Sequence, residues 1–185
     1  MKPSTDPGAE ILRATLFAAR AYAGQARKGA AAEPYVNHVI EVAELLAAHG
    51  APLPVVLAGL LHDTVEDTAV THADLVAAFG AEVAGLVAEA TDDTSLPKDI
   101  RKGLQVSQAP KKSDGAKQLK LADKISNLVA IAESPPANWI HARRVEYVGW
   151  AGRVAAGLKG VNPALDALFD ATYRAAMAKL SAEEG

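Results

Sequence analysis

Hydrophobic positions recur along the chain at helical spacing, and proline and glycine divide them into segments. Leu12, Leu16, Ala19 and Ala23 mark one apolar stripe ending at Gly24, which predicts a first helix. A loop over 25–33 carries Arg27-Lys28-Gly29, and a second helix starts near 34–37 and runs to Gly50 through Val39, Val42 and Leu46. Pro52 and Pro54 open a third, over 55–65, apolar on nearly every face and therefore expected to be central. Thr71-His72-Ala73-Asp74 has the form of a capping box and starts a helix ending at Gly80; another covers 82–90. Pro97 opens a helix to about 108, residues 109–115 read as a loop, and a strong helix over 116–132 stops at Pro135-Pro136. Two more are expected over 138–158 and 163–180. No alternating strand pattern of useful length interrupts them. The expectation is an all-α single domain over residues 9–181, a bundle of about eight to ten helices, preceded by a disordered segment, 1–8.

Composition narrows the function classes. With 185 residues, half of them hydrophobic, the chain suits one domain with one core. Cysteine is absent, which excludes disulfides, thiolate-bound zinc and thiol nucleophiles, and fits a reducing compartment. A net charge of −3 is too weakly acidic to mark the domain as a nucleic-acid binder, so any phosphate-binding charge is local. The polar start, with two prolines in its first eight residues, lacks the apolar stretch of a signal peptide, and the longest apolar run, 55–61, is too short for a bilayer. A cytoplasmic protein without a membrane partner is expected, as a monomer or small homo-oligomer.

The informative segment is His62-Asp63-Thr64-Val65-Glu66-Asp67, where an imidazole and three acids end an otherwise apolar helix. In a continuous helix, His62 and Glu66, and likewise Asp63 and Asp67, would share a face. Acids at the negative end of a helix dipole need a compensating positive charge, and a divalent cation is the simplest one. An isolated His-Asp pair is more often a solvated helix end; its company changes that balance. His38 opens the second helix, while Asp123 and Asn127 lie one turn apart on a largely apolar helix, where polar groups need partners. Two imidazoles and two carboxylates from three helices suit Mn²⁺, Fe²⁺, Co²⁺ or Mg²⁺, with Zn²⁺ also possible.

His38, His62-Asp63 and Asp123, in that order, resemble the HD-domain metal-dependent phosphohydrolases. With Arg27-Lys28, Pro34-Tyr35-Val36-Asn37-His38, Thr91-Asp92-Asp93, Leu96-Pro97-Lys98 and Lys120-Leu121-Ala122-Asp123-Lys124, the chain resembles the hydrolase domain of the RelA/SpoT family over about residues 10–175. The free-standing small alarmone hydrolases, including the metazoan SpoT homologue, resemble it most. That resemblance implies hydrolysis of the 3′-pyrophosphate of (p)ppGpp with Mn²⁺ as cofactor and a small nucleotide, ppGpp or pppGpp, as substrate. It implies His38, His62, Asp63 and Asp123 as metal ligands, with Glu66 and Asp67 orienting or deprotonating the attacking water. Two departures stand out: Val39 follows His38 where relatives usually carry proline, and Ser126 stands where many carry tyrosine, which is expected to loosen the pocket wall.

Around this set, Arg27 and Lys28 are expected to contact purine and phosphate, although such a pair is usually a solvated loop. Tyr35, Lys98, Asn127, Arg143 and Tyr147 also resemble substrate-contacting positions; for Tyr147 the competing role is packing on Trp150, and for Lys98 plain solvation. Arg144 and Lys111-Lys112 read as surface charge, and His49, His72 and His141 as helix caps or solvated rings. Three competing functions keep the same residues: an NADPH 2′-phosphatase or other nucleotide phosphohydrolase, a non-catalytic nucleotide sensor, and an interaction scaffold.

Overall fold

The computed structural model describes residues 5–183. They form eight helices of nine residues or more and one single-turn helix. These are α1 (Pro7–Ala21), α2 (Tyr35–Ala48), α3 (Leu53–Leu61), the single-turn α4 (Thr64–Asp67), α5 (His72–Ala90), α6 (Lys98–Gln108), α7 (Asp114–Glu133), α8 (His141–Ala156) and α9 (Pro163–Ala182). Among the described residues there is no strand, only isolated bridges from Ala26 to Pro34 and from Gly29 to Pro136. The all-α expectation and its helix count hold.

Helix α3 is the axis of the core. Val55 to Leu61 are buried without exception, and α1, α2, α5 and α7 pack around it. Its approach to α2 is close because of Gly59, where a Cβ would stand 2.8 Å from Leu46 Cδ1 and 3.2 Å from the Ala43 Cα. The long α7 is the second internal helix, buried along its whole middle and bracketed by α2 and α9. Side chains close the helix ends where the sequence placed caps: the Thr71–Asp74 box is complete, and Gly80, at φ 86°, breaks α5 into the two expected pieces. His49 and His141 reach the carbonyls of Leu45 and Leu180 near the ends of α2 and α9, and His72 is exposed.

Four expectations need correction. Of the segment 1–8, residues 1–4 lie outside the described residues, whereas Pro7 and Gly8 already belong to α1, capped by the Asp6 carboxylate (2.9 Å). The apolar stripe of α1 faces outward: Leu12 and Leu16 are 71% and 51% exposed, and the helix packs instead through Ala14 and Ala18. Small side chains allow the closer approach, and this decides which face turns inward. The third helix does not run on to 65 but ends at Leu61, because the His62 ring and the Thr64 hydroxyl bond the carbonyls of Gly59 and Leu61 (2.9 and 2.6 Å). The loop over 109–115 is mostly structured; a 3-10 turn leads into α7, capped by Ser113, and Lys112 donates to the Glu89 carbonyl rather than standing free.

Candidate metal centre and substrate cleft

The break at His62-Asp63 builds the site. It brings both side chains from the end of α3 against His38 on α2 and Asp123 on α7. The His62 Nε2 lies 3.2 Å from Asp63 Oδ2 and 3.8 Å from Asp123 Oδ1. The His38 Nε2 lies 3.4 Å from Asp123 Oδ1 and 3.8 Å from Asp63 Oδ2. His38, His62 and Asp123 each offer one ligand atom, all three within 4.8 Å of one another and all buried.

The donor set fits a cation. His62 Nε2 is buried with no aligned hydrogen-bond partner, although the same ring is pinned at Nδ1 by the Gly59 carbonyl. A buried imidazole nitrogen facing carboxylate oxygens, with its other nitrogen bonded to backbone, is how proteins orient a histidine toward a metal. Burial opposes charge on His62, yet Asp63 and Asp123 outweigh it and hold its pKa up at about 10. Burial pushes the two aspartates up as well; His62 pulls Asp63 below the usual range, and Lys124 and the two histidines do so for Asp123. Each acid is also held from behind. Tyr35 donates to Asp63 Oδ2 (2.5 Å), Asn127 to Asp123 Oδ1 (2.6 Å), and Lys124 pairs with Asp123 Oδ2 (2.9 Å).

Glu66 and Asp67 follow on α4 and face different neighbours, while the Asp67 N–H donates to the Asp63 carbonyl (2.9 Å), which keeps those two acids one helical turn apart as expected. Glu66 accepts from the Asp92 N–H (3.1 Å) and pairs with Arg101 (3.5 Å). Asp67 lines the cleft, and its carbonyl accepts from Gln25 (3.1 Å). Burial raises the pKa of both acids, and the Asp63 charge adds to it.

A cleft of about 800 Å³ opens beside the cluster. Arg27, Lys28, Tyr35, Asn127 and Tyr147 line it together with Trp139. Arg27 bridges Asn127 Oδ1 (3.2 Å) and Glu41 (3.3 Å). Lys98 and Arg143 are outside the lining and stand at its edge, 6.0 and 4.3 Å from the centroid of the Trp139 ring. Lys98 titrates low, first from desolvation and then because Arg143, Lys102 and Lys28 crowd it. Tyr147 lies between Trp139 (5.4 Å) and Trp150 (5.3 Å), so it is both a packing residue and a cleft wall. Arg144 pairs with Glu183 (2.7 Å), away from the cleft.

Sequence reasoning did not single out Glu41, Arg101, Lys124 or Trp139. Glu41 had a local signal, one turn after His38 on α2, whereas Arg101 reaches Glu66 across the fold and had none. Ser126 lines the cleft and also has a second role. It is buried, 2.9 Å from His38 Nδ1.

A helical domain with this histidine–aspartate cluster defines a class, and comparison with known proteins agrees. The family model described as HD domain matches residues 14–148. The human guanosine-3′,5′-bis(diphosphate) 3′-pyrophosphohydrolase MESH1 is 47% identical over 160 residues, covering 85% of this chain and 89% of the relative. The Drosophila melanogaster protein of that name is 41% identical over 173 residues, covering 92% and 97%. A solved structure, described as a metazoan ortholog of SpoT that hydrolyses ppGpp, superposes with a TM-score of 0.86 at 40% identity, covering 94% of this chain and 97% of that one. The Listeria monocytogenes protein lmo0812 superposes with a TM-score of 0.65 at 33% identity, covering 78% and 99%. The chain belongs to the HD-domain family and, within it, to the MESH1 group. Among the described residues, no helix is long and apolar enough to cross a membrane.

Proposed function

We propose that this chain is a divalent-cation-dependent guanosine-3′,5′-bis(diphosphate) 3′-pyrophosphohydrolase that uses Mn²⁺. The observation that carries this reading is the convergence of the His38 and His62 Nε2 atoms with Asp123 in one buried space, beside a cleft rimmed by cations. His38, His62, Asp63 and Asp123 hold the cation, which when bound supplies Lewis acidity toward water and phosphate oxygens.

The remaining steps belong to the chain. Glu66 and Asp67 take up the proton of the attacking water, and their raised pKa values make them stronger bases than exposed acids. The Asp92 N–H and Arg101 hold Glu66 in one orientation while it does so. Lys28, Lys98 and Arg143 bind the phosphates, and Arg27, Tyr35, Asn127 and Tyr147 shape the nucleoside end of the cleft. Water attacks the ribose-proximal phosphorus of the 3′-diphosphate, the P–O3′ bond breaks, and the proton taken from the water passes to the freed 3′-oxygen, so that ppGpp yields GDP and pyrophosphate and pppGpp yields GTP and pyrophosphate.

The test is ppGpp turnover by metal-stripped protein with and without Mn²⁺, with products resolved by anion exchange. GDP and pyrophosphate are expected only with the cation. A folded, Mn²⁺-loaded protein that leaves ppGpp intact and strips the 2′-phosphate from NADPH would overturn the substrate assignment.

A further inference from the structure

We infer that Glu41 and Ser126 are positioning residues that set the tautomer of His38, so that its Nε2 presents a lone pair to the metal centre. The inference rests on the metal-centre reading above. His38 is 2% exposed, and its Nδ1 lies 2.9 Å from Ser126 Oγ. A serine hydroxyl both donates and accepts, so by itself it supports either imidazole tautomer. Glu41 removes the ambiguity. A carboxylate only accepts, and Ser126 Oγ lies 2.8 Å from Glu41 Oε2. The hydroxyl proton is therefore committed to Glu41, and the serine oxygen is left to accept from His38 Nδ1–H. Nε2 then carries the lone pair, aimed at the space it shares with His62 Nε2 and the Asp123 carboxylate.

Glu41 is itself held. Arg27 Nη1 lies 3.3 Å from the same Oε2 atom, and Arg27 Nη2 lies 3.2 Å from Asn127 Oδ1. Asn127 in turn donates to Asp123 Oδ1 (2.6 Å). A single chain of contacts thus runs from His38 through Ser126, Glu41, Arg27 and Asn127 to Asp123, with a candidate metal ligand at each end. His62 obtains the same orientation from one backbone carbonyl, that of Gly59. His38 has no such carbonyl on its Nδ1 and depends on two side chains. Helical spacing makes this possible: Glu41 lies one turn beyond His38, and Ser126 one turn beyond Asp123.

The test is the Mn²⁺ dissociation constant of the full chain, read from the electron paramagnetic resonance of free aqueous Mn²⁺. Ser126→Ala is expected to weaken binding roughly 10- to 100-fold, the usual cost of losing a partner behind a metal-bound histidine. Glu41→Leu is expected to weaken it less, because the serine remains but is free to turn its proton toward His38. Ser126→Thr keeps the hydroxyl and is expected to bind like the unmodified chain, which separates the relay from simple packing. Ser126→Ala and Glu41→Leu variants that bind Mn²⁺ as tightly as the unmodified chain would overturn the relay and leave the metal centre standing. Failure of the unmodified chain itself to bind would remove the metal centre and the relay with it.

Discussion

The metal cluster and the cationic rim adjoin one cleft and are built on opposite plans. In the cluster, each ligand side chain is held from behind by another part of the protein: Tyr35 holds Asp63, Asn127 and Lys124 hold Asp123, and Gly59 holds His62. On the rim, Lys98 and Arg143 are exposed and lie over the face of Trp139, and among the described residues no carboxylate pairs with either. Aromatic faces steady cations without consuming their N–H donors, which remain free for an anion. Lys124 joins the two plans, paired with Asp123 and 4.9 Å from the Trp150 ring. The contrast teaches a division of labour. Defects in the cluster should appear in metal affinity and in the chemical step, and defects on the rim in KM.

The largest effect expected from breaking this division is at Asp123. Asp123→Ala removes a candidate ligand and strands both Asn127 and the buried Lys124, so Mn²⁺ binding and turnover should both be lost. Thermal melting checks it independently of catalysis. A ligand at a hundred times its Kd stabilises a protein by about 2.7 kcal/mol, and that Mn²⁺-induced rise in Tm should vanish in the variant. Glu66→Gln comes next. It should keep the Mn²⁺ shift in Tm while kcat falls roughly 10²- to 10⁴-fold, the scale of losing a general base. Because burial raises the Glu66 pKa, and only the ionised form accepts a proton, activity of the unmodified chain should decline as pH falls through that raised value. Unchanged kcat in Glu66→Gln would assign the base to Asp67.

Much of this was legible in the sequence because it is local. Helix periods, the Thr71–Asp74 cap and the Gly80 break depend on neighbours within a turn or two, and they appear where the pattern put them. The convergence of His38, His62 and Asp123 was legible for a different reason: polar groups on apolar helices must have partners, and these three find one another in one buried space. Sequence periodicity failed where two local forces compete. Along α1, leucine hydrophobicity pointed one way and close alanine packing another, and packing prevailed. At the end of α3, side-chain bonds to Gly59 and Leu61 stopped a helix that its apolar pattern would have continued. Contacts that cross the fold, such as Arg101 on Glu66 or Lys98 beside Trp139, leave no trace in spacing at all.

The smallest of these effects, and the one that sharpens the contrast most, is expected at Arg143. It lies on the first turn of α8, exposed, with its guanidinium 4.3 Å from the Trp139 centroid, so Arg143→Ala leaves the core and the cluster untouched. A hydrogen bond to a charged group is worth about 1.5–3 kcal/mol, which corresponds to roughly ten- to hundredfold in KM. The kcat should stay close to that of the unmodified chain, because binding is lost equally from ground and transition states. Raising the salt concentration should also raise KM in the unmodified chain, since exposed charges are screened beyond about 10 Å at 0.1 M. With one cation fewer on the rim, that dependence should be shallower in Arg143→Ala. A variant that instead lost kcat and Mn²⁺ affinity, with KM unchanged, would show that Arg143 acts through the cluster and that the two sides of the cleft are not independent.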